Sequence, residues 1–284
     1  NPENQFASIA LNSKNLGESF NFVRFLRVKA EQNHYLCSCK YMKMVESKQI
    51  ERSVLSFPEE TIFTIGDLNL PMLSWDNIRV KLGRMVNEGV LRKAGKGRFY
   101  RPKTSIFGEV MPSQEEIVKD LLWDGDTPTG YITGYSRWNE MGLTTQISGI
   151  IQIGINGVKR NLDRGGYSVR FIKQPNEITV DNIKYLVILD AINNIRKIPD
   201  TTVVASLNRL AVIIKRLGAD EIEIMTGLAM KYPARLRALL GAMLENIGYE
   251  SSSSLLYETL NPLTSYDYPG LSAHLSNSLK WHIK

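Results

Sequence analysis

The sequence predicts an α+β fold: an N-terminal winged helix-turn-helix, then a mixed α/β domain with a helical C-terminal region. Three observations predict it. Residues 45–101 place apolar side chains at helical spacing and then enter a glycine-tipped hairpin. Residues 150–155 and 168–173 are rich in isoleucine and valine, as strands are. Beyond residue 180 the apolar residues return to helical spacing.

The 284 residues are enough for about two domains, given the usual size of a folded unit. Residues 1–43 are interpreted as a poorly defined and dispensable N-terminal extension. An amphipathic helix is expected near residues 20–28, where the arginines argue against a secretory signal. The predicted segments that follow are the winged helix-turn-helix at 44–103, the mixed α/β domain at 104–217 and the helical C-terminal region at 218–284.

The winged unit begins with a helix from Val45 that ends at Pro58. We predict a short second helix over residues 61–68. Ser74 then supplies the N-cap of a third helix, which is predicted to run to Asn87. Gly89 terminates it, because glycine adopts a left-handed cap without strain. The hairpin that follows is predicted to have strands at residues 90–93 and 98–101 and a turn at residues 94–97.

Helical phasing separates two faces of the third helix. The apolar residues that share one stripe, and that we predict to be buried, are Ile78, Leu82, Met85 and Val86. Asn77, Lys81 and Arg84 therefore point away from the core, and Arg79 lies at the flank of the stripe.

Positive charge is concentrated in the same unit. Residues 74–103 hold nine basic and two acidic residues, whereas the whole chain has a net charge of +6. Such a local field indicates a polyanionic partner, and a helix can enter the major groove of DNA while a basic wing follows the backbone. The predicted DNA-binding residues are Asn77, Arg79, Lys81, Arg84, Lys93, Lys96, Arg98 and Arg101. One such unit contacts few base pairs, so we expect a homodimer on an inverted repeat in operator DNA.

The second half begins with a helix for which Ser113 is the N-cap and Glu116 has capping-box spacing. Helices are also predicted over residues 180–195 and 203–217.

A last long helix has Pro233 at its first position and ends at Gly248. We interpret residues 251–254 as a flexible spacer. The irregular tail is predicted to be anchored by Leu263, Tyr266, Leu271 and Trp281.

Several classes of protein are excluded by composition. No run of roughly 18 apolar residues exists, so we expect no membrane partner. Cys37 and Cys39 are too close in sequence for a disulfide between them to stabilise the fold. Their spacing therefore indicates a reducing cytosol and a cytoplasmic protein. With His34 they give three ligands where a structural zinc needs four. We therefore expect neither a metal nor a cofactor.

Catalytic signatures are also incomplete. Asp124 and Asp126 have the spacing of metal-binding carboxylates, but they follow no Gly-Ser turn and are predicted to lie in a turn of their own. Residues 89–97 differ from a phosphate-binding loop in spacing, and Gly97 replaces its serine or threonine. We therefore predict no enzyme and no catalytic residues. Trp75 and Trp138 are interpreted as packing residues.

Several strings beyond the wing resemble the antitoxin of the AbiEi type. They are GYITG at 130–134, GLTTQ at 142–146, VRFIKQP at 169–175, KIPD at 197–200, YPARLRALLG at 232–241 and LNPLT at 260–264. The resemblance covers residues 45–284 and implies a bacterial type IV toxin-antitoxin system of phage defence. It implies that the winged helix autorepresses its operon and that the following antitoxin domain counteracts a nucleotidyltransferase-like toxin. Operator binding by exposed winged-helix residues maps here onto Asn77, Arg79, Lys81, Arg84, Lys96 and Arg98.

Other interpretations stay open. The basic unit could dock an acidic protein, or the chain could be a solitary transcriptional regulator. An enzyme of unrecognised chemistry would show turnover that Asp124→Ala abolishes. Salt-sensitive binding to duplex DNA would favour a DNA-binding role over the docking of an acidic protein.

Overall fold

The computed structural model describes residues 42–284, so the helix expected near residues 20–28 and the residues His34, Cys37 and Cys39 lie outside the described part. The chain divides into two units, the first ending at Met111 and the second spanning Pro112–Lys284. Helices combine with small antiparallel and mixed sheets, which confirms the predicted α+β class. Within residues 42–284, no helix has the length and apolar character needed to cross a membrane.

In the first unit, helix α1 spans residues 42–56 and helix α2 spans Trp75–Asn87. Two antiparallel hairpins follow. They consist of β1 (Arg92–Gly95) with β2 (Arg98–Tyr100), and of β3 (Lys103–Ser105) with β4 (Gly108–Val110). The core that holds this unit together contains Ile50, Val54, Phe63, Leu68, Leu73, Ile78, Leu82, Met85, Leu91 and Phe99.

The helix predicted over residues 61–68 is wrong. Only Gly66–Leu68 is helical, as one 3-10 turn. Phe63 instead forms a β-bridge with Phe99, and the backbone N–H of each donates to the other's carbonyl at 2.9 Å. The Phe63 ring is 1% exposed and stacks on Phe57 with 4.8 Å between ring centroids. Extended backbone therefore places this ring in the core and adds a third chain segment to the wing.

The second unit begins with helix α3 (Gln114–Leu122), whose N-cap is Ser113 as predicted. The Ser113 hydroxyl accepts a hydrogen bond from the Glu116 N–H at 3.2 Å. A short hairpin follows, made of β5 (Trp123–Asp124) and β6 (Thr127–Pro128).

A four-stranded sheet lies in the same unit, with helix α4 (Tyr135–Glu140) inserted after its first strand. Its strands are β7 (Gly130–Thr133), β8 (Ile150–Ile155), β9 (Leu162–Arg164) and β10 (Tyr167–Lys173), in the order β7-β8-β10-β9. The two strands that the sequence predicts most clearly are confirmed as β8 and β10. They pair in parallel, and the other two pairs are antiparallel.

Five helices cover the rest of the described unit: α5 (Ile183–Asn193), α6 (Val203–Ile214), α7 (Ala219–Ala229), α8 (Ala234–Asn246) and α9 (Glu250–Tyr257). Pro233 is the N-cap of α8, one position before the site that we predicted for it. The flexible spacer predicted at residues 251–254 is wrong, because these serines lie within α9. Leu256 in the same helix is fully buried, and its packing fixes the segment.

The tail after α9 is irregular but held in place, as predicted. The Tyr266 N–H donates to the His282 carbonyl at 2.7 Å, and the Tyr268 N–H donates to the Lys284 carbonyl at 2.8 Å. Trp281 is fully buried. Leu263 is 95% exposed, so its predicted anchoring role is wrong.

Side chains on both sides of residue 217, where we drew a boundary from the sequence, share one hydrophobic core. That core runs from Tyr131 in β7 to Ile283 in the tail. The helical C-terminal region therefore packs as part of the second unit.

Candidate nucleic-acid interface

Helix α2 is built as the sequence predicts. The Ser74 hydroxyl accepts a hydrogen bond from the Asn77 N–H at 3.2 Å, so the N-cap is formed. Ile78, Leu82 and Met85 are buried. Gly89 has a φ of 80°, in the left-handed region that glycine favours, and it turns the chain from the helix into the wing.

Two of the predicted DNA-binding residues face α1. The Asn77 side chain donates from Nδ2 to Glu46 Oε2 at 3.2 Å. Lys81 Nζ lies 3.4 Å from Glu51 Oε2, and the Lys81 side chain is only 18% exposed. Lys81 therefore does not lie on the open face that we predicted for it. Its ammonium is neutralised by a carboxylate 30 positions away, a partner that helical phasing cannot reveal.

Arg79 and Arg84 are more accessible. Arg79 Nη1 pairs with Asp76 Oδ1 at 2.9 Å, but both side chains are largely exposed, so the pair contributes little and can open. Arg84 lies in the last turn of α2, and its exposed side chain has no hydrogen bond or ion pair within residues 42–284. No residue in the described part of the chain therefore occupies its guanidinium.

The wing presents two exposed lysine side chains. Lys93 and Lys96 are exposed, and neither side chain has a partner in the described part of the chain. The strand pairing extends further than predicted, since Gly95 pairs with Arg98 and leaves Lys96 and Gly97 as the turn. Gly97 has a φ of 71°, in the left-handed region that glycine favours. Arg98 is half-buried.

Arg101 has a structural role that differs from the predicted one. Its Nη1 donates to the carbonyls of Leu55 at 3.2 Å and Phe57 at 2.9 Å, at the C-terminal end of α1. Its Nη2 also lies 3.8 Å from Glu59 Oε1. These bonds satisfy carbonyls that the end of α1 leaves without helical partners. Arg101 is thus engaged within the unit.

Two apolar residues on α2 were not among the predicted contacts. Trp75 is 63% exposed and Val80 is 55% exposed. The packing role expected for Trp75 is therefore wrong, whereas Trp138 is buried as expected. Val80 lies opposite Ile78 on the helix, and phasing alone could have identified it. Apolar side chains on such a face can contact the methyl group of thymine.

The alternative catalytic site has the predicted turn geometry. Gly125 has a φ of 58° at the tip of the β5–β6 hairpin, between Asp124 and Asp126. Residues 42–284 contain no group of three or more histidine, cysteine, aspartate or glutamate side chains that could hold a metal ion.

Comparison with known proteins places the chain in a family. No curated protein sequence matches it. Among solved structures, the crystal structure of the RV2827C protein from Mycobacterium tuberculosis is similar, with a TM-score of 0.50 and 13% sequence identity. The match covers 77% of this chain and 82% of that chain, and it supports the fold alone. Residues 49–222 match the family described as a family of unknown function, DUF6088. The chain therefore belongs to the DUF6088 family.

Proposed function

We propose that this chain is a sequence-specific DNA-binding protein that represses its own operon and serves as the antitoxin of a type IV toxin-antitoxin system. The observation that carries the DNA-binding part is the set of exposed cations on one winged unit. Arg84 at the end of α2 and Lys93 and Lys96 on the wing have no partner within residues 42–284. Free cations of this kind release counterions from a duplex when they meet its phosphates.

The residues divide by role. Arg84 has a planar guanidinium that can donate two parallel hydrogen bonds to the guanine edge in the major groove. Lys93 and Lys96 carry point charges that suit phosphates and favour no sequence. Asn77 and Lys81 pair with Glu46 and Glu51 of α1. We therefore assign them to the packing of α2 on α1 and not to DNA contact.

A binding experiment with alanine variants tests these roles. We expect Arg84→Ala to lose about 1–3 kcal/mol of discrimination between the operator and a shuffled duplex. Lys96→Ala should weaken binding to both duplexes alike, and Lys81→Ala should change neither, since its ammonium is already paired. Fluorescence anisotropy on the full chain measures all three. Unchanged affinity in both Arg84→Ala and Lys96→Ala would remove DNA contact from this unit.

The antitoxin part of the proposal is supported by the strings that resemble the AbiEi type. It predicts that a reading frame for a nucleotidyltransferase lies beside the gene. Expression of that nucleotidyltransferase alone should arrest growth. Co-expression of this chain should restore growth. Growth arrest that persists with a well-expressed chain would favour the solitary regulator, and tight binding to an acidic protein without binding to DNA would favour the docking module.

A further inference from the structure

A cavity of about 440 Å³ lies in the second unit. Its wall comes from three parts of the chain: the end of α5 with the 3-10 turn Ile195–Lys197, the first turn of α8, and the tail. The side chains that matter for its chemistry are Asn193, Arg196, Lys197, Arg235, Tyr266 and Asp267. None of them belongs to the winged unit.

The cavity carries more positive than negative charge. Three cations line it against one carboxylate, that of Asp267, which lies 3.3 Å from Arg196 Nη2. Among the described residues, Arg235 Nη2 makes only long contacts of 3.4 Å, to the carbonyl and side-chain oxygens of Asn193. Lys197 is exposed, and its ammonium has no partner in the described chain. Within residues 42–284, two positive charges are therefore left without an anion.

A buried hydroxyl in the same wall also lacks a partner. Tyr266 is 7% exposed, and within residues 42–284 nothing accepts a hydrogen bond from its buried hydroxyl or donates one to it. Buried polar groups are nearly always hydrogen-bonded in native proteins, so this hydroxyl keeps unused hydrogen-bonding capacity.

The wall is held in place by bonds that need no ligand. The Tyr266 backbone is fixed by the C-terminal residues through its bond to the His282 carbonyl. The Tyr268 hydroxyl donates to the Arg235 carbonyl at 2.9 Å. Burial raises the pKa of Tyr268 to about 12, so this phenol stays protonated and keeps its donor role at neutral pH. The site is therefore organised in advance.

We propose that this cavity binds the phosphate group of a phosphorylated small molecule of nucleotide size. Two uncompensated charges match a phosphate dianion, and arginine forks fit phosphate oxygens in a bidentate manner. A volume of about 440 Å³ falls within the range of small-molecule sites, roughly 300–1,000 Å³, and leaves space for an organic group beside the phosphate.

Calorimetric titration of the full chain tests the proposal. The probes are inorganic phosphate, the four ribonucleoside monophosphates and, as a phosphate-free control, adenosine. We expect at least one monophosphate to bind more tightly than inorganic phosphate, and adenosine not to bind. Lys197→Gln should weaken that binding about tenfold, the loss of one charge-assisted hydrogen bond. The matched control is Lys215→Gln, another exposed lysine of the second unit without a partner in the described chain, which should bind as the wild type does.

Tyr266→Phe gives a second readout, because it deletes only the hydroxyl. The thermal midpoint of the free protein should be unchanged or higher, because the deleted hydroxyl has no partner within residues 42–284. Absence of binding by every phosphate probe at millimolar concentration overturns the proposal, as does equal binding by Lys197→Gln and Lys215→Gln. Binding of a single-stranded oligonucleotide or an acidic peptide without any mononucleotide binding also overturns it, since the partner would then be a macromolecule.

Discussion

The Asp190 carboxylate in α5 is enclosed by three hydroxyl donors. The hydroxyls of Tyr131 and Thr133 donate to Oδ2 at 2.7 and 2.8 Å, and that of Tyr232 donates to Oδ1 at 2.8 Å. Gln174 Nε2 in turn donates to both tyrosine oxygens, at 2.6 and 2.8 Å. The network joins β7, α5 and the segment before α8. It ties the sheet of the second unit to its helices.

Burial raises the pKa of Asp190 above its ordinary value, although the three hydroxyl donors oppose the rise. A folded state with the higher pKa holds the proton more tightly than the unfolded state does. The Asp190 contribution to stability is therefore greatest in acid, and it decreases as pH rises above the unfolded-state pKa of about 4.

Asp190→Asn tests the direction of this pH dependence, because asparagine cannot ionise. We expect the stability of the wild type relative to Asp190→Asn to fall as pH increases from about 4, until the folded pKa is passed. Urea unfolding of both proteins across the pH range measures it. A difference that stays constant, or that grows with pH, would contradict the raised pKa. Asp190→Ala should be destabilised by about 3 kcal/mol in acid and by less as pH rises, since it leaves three buried hydroxyls without an acceptor.

Residue-scale prediction from the sequence succeeded where local geometry decides the outcome. The Ser74 and Ser113 caps and the buried stripe of α2 follow from spacing alone. Whether a cation is free to bind an external partner does not follow from spacing, because it depends on where a distant carboxylate or carbonyl lies. Lys81 is neutralised by Glu51, and Arg101 is held at the end of α1.

At the scale of elements, Gly241 in α8 leaves the space in which the tail packs. A Cβ atom added at Gly241 would overlap the ring of Trp281, which is fully buried. The Trp281 Nε1 also donates to Glu245 Oε2 at 2.6 Å, on the same helix. The missing side chain at Gly241 thus makes room for the indole that anchors the tail.

Gly241→Ala should destabilise the protein by about 1–3 kcal/mol, because overpacking outweighs the better helix propensity of alanine. Gly227→Ala in α7 is the matched control, since nothing lies within 4 Å of its Cβ position. It should stabilise the protein by up to about 1 kcal/mol. Urea unfolding followed by circular dichroism compares the two. Equal shifts in the two variants would show that Trp281 does not pack on α8 in this way.

Two elements were predicted wrongly for identifiable reasons. Residues 61–68 have helix-compatible spacing, but pairing of Phe63 with Phe99 across the wing prevails over that local pattern. The serines at 251–254 have weak helix propensity, yet burial of Leu256 in α9 stabilises the helix that contains them.

For the whole molecule, the α+β class and the order of most elements could be predicted because amphipathic spacing is local. The parallel pairing of β8 with β10 and the single core shared across residue 217 could not, because both depend on contacts between distant segments. The cavity at Lys197 and Arg235 escaped prediction for the same reason. Its cations come from two distant segments of the chain, Arg196 and Lys197 before α6 and Arg235 in α8, and its tyrosine Tyr266 comes from the tail.

We propose that the winged unit binds DNA through cations that have no partner within residues 42–284. Anisotropy titration of the full chain on a duplex from its own promoter, at salt concentrations from roughly 50 to 200 mM, tests it most directly. We expect tighter binding to this duplex than to a shuffled one, with affinity that falls as salt rises. The double variant Lys93→Gln/Lys96→Gln should reduce the salt slope by about two, whereas Lys215→Gln/Lys231→Gln should leave it unchanged. Salt-independent binding, or equal slopes in the two double variants, would contradict the account.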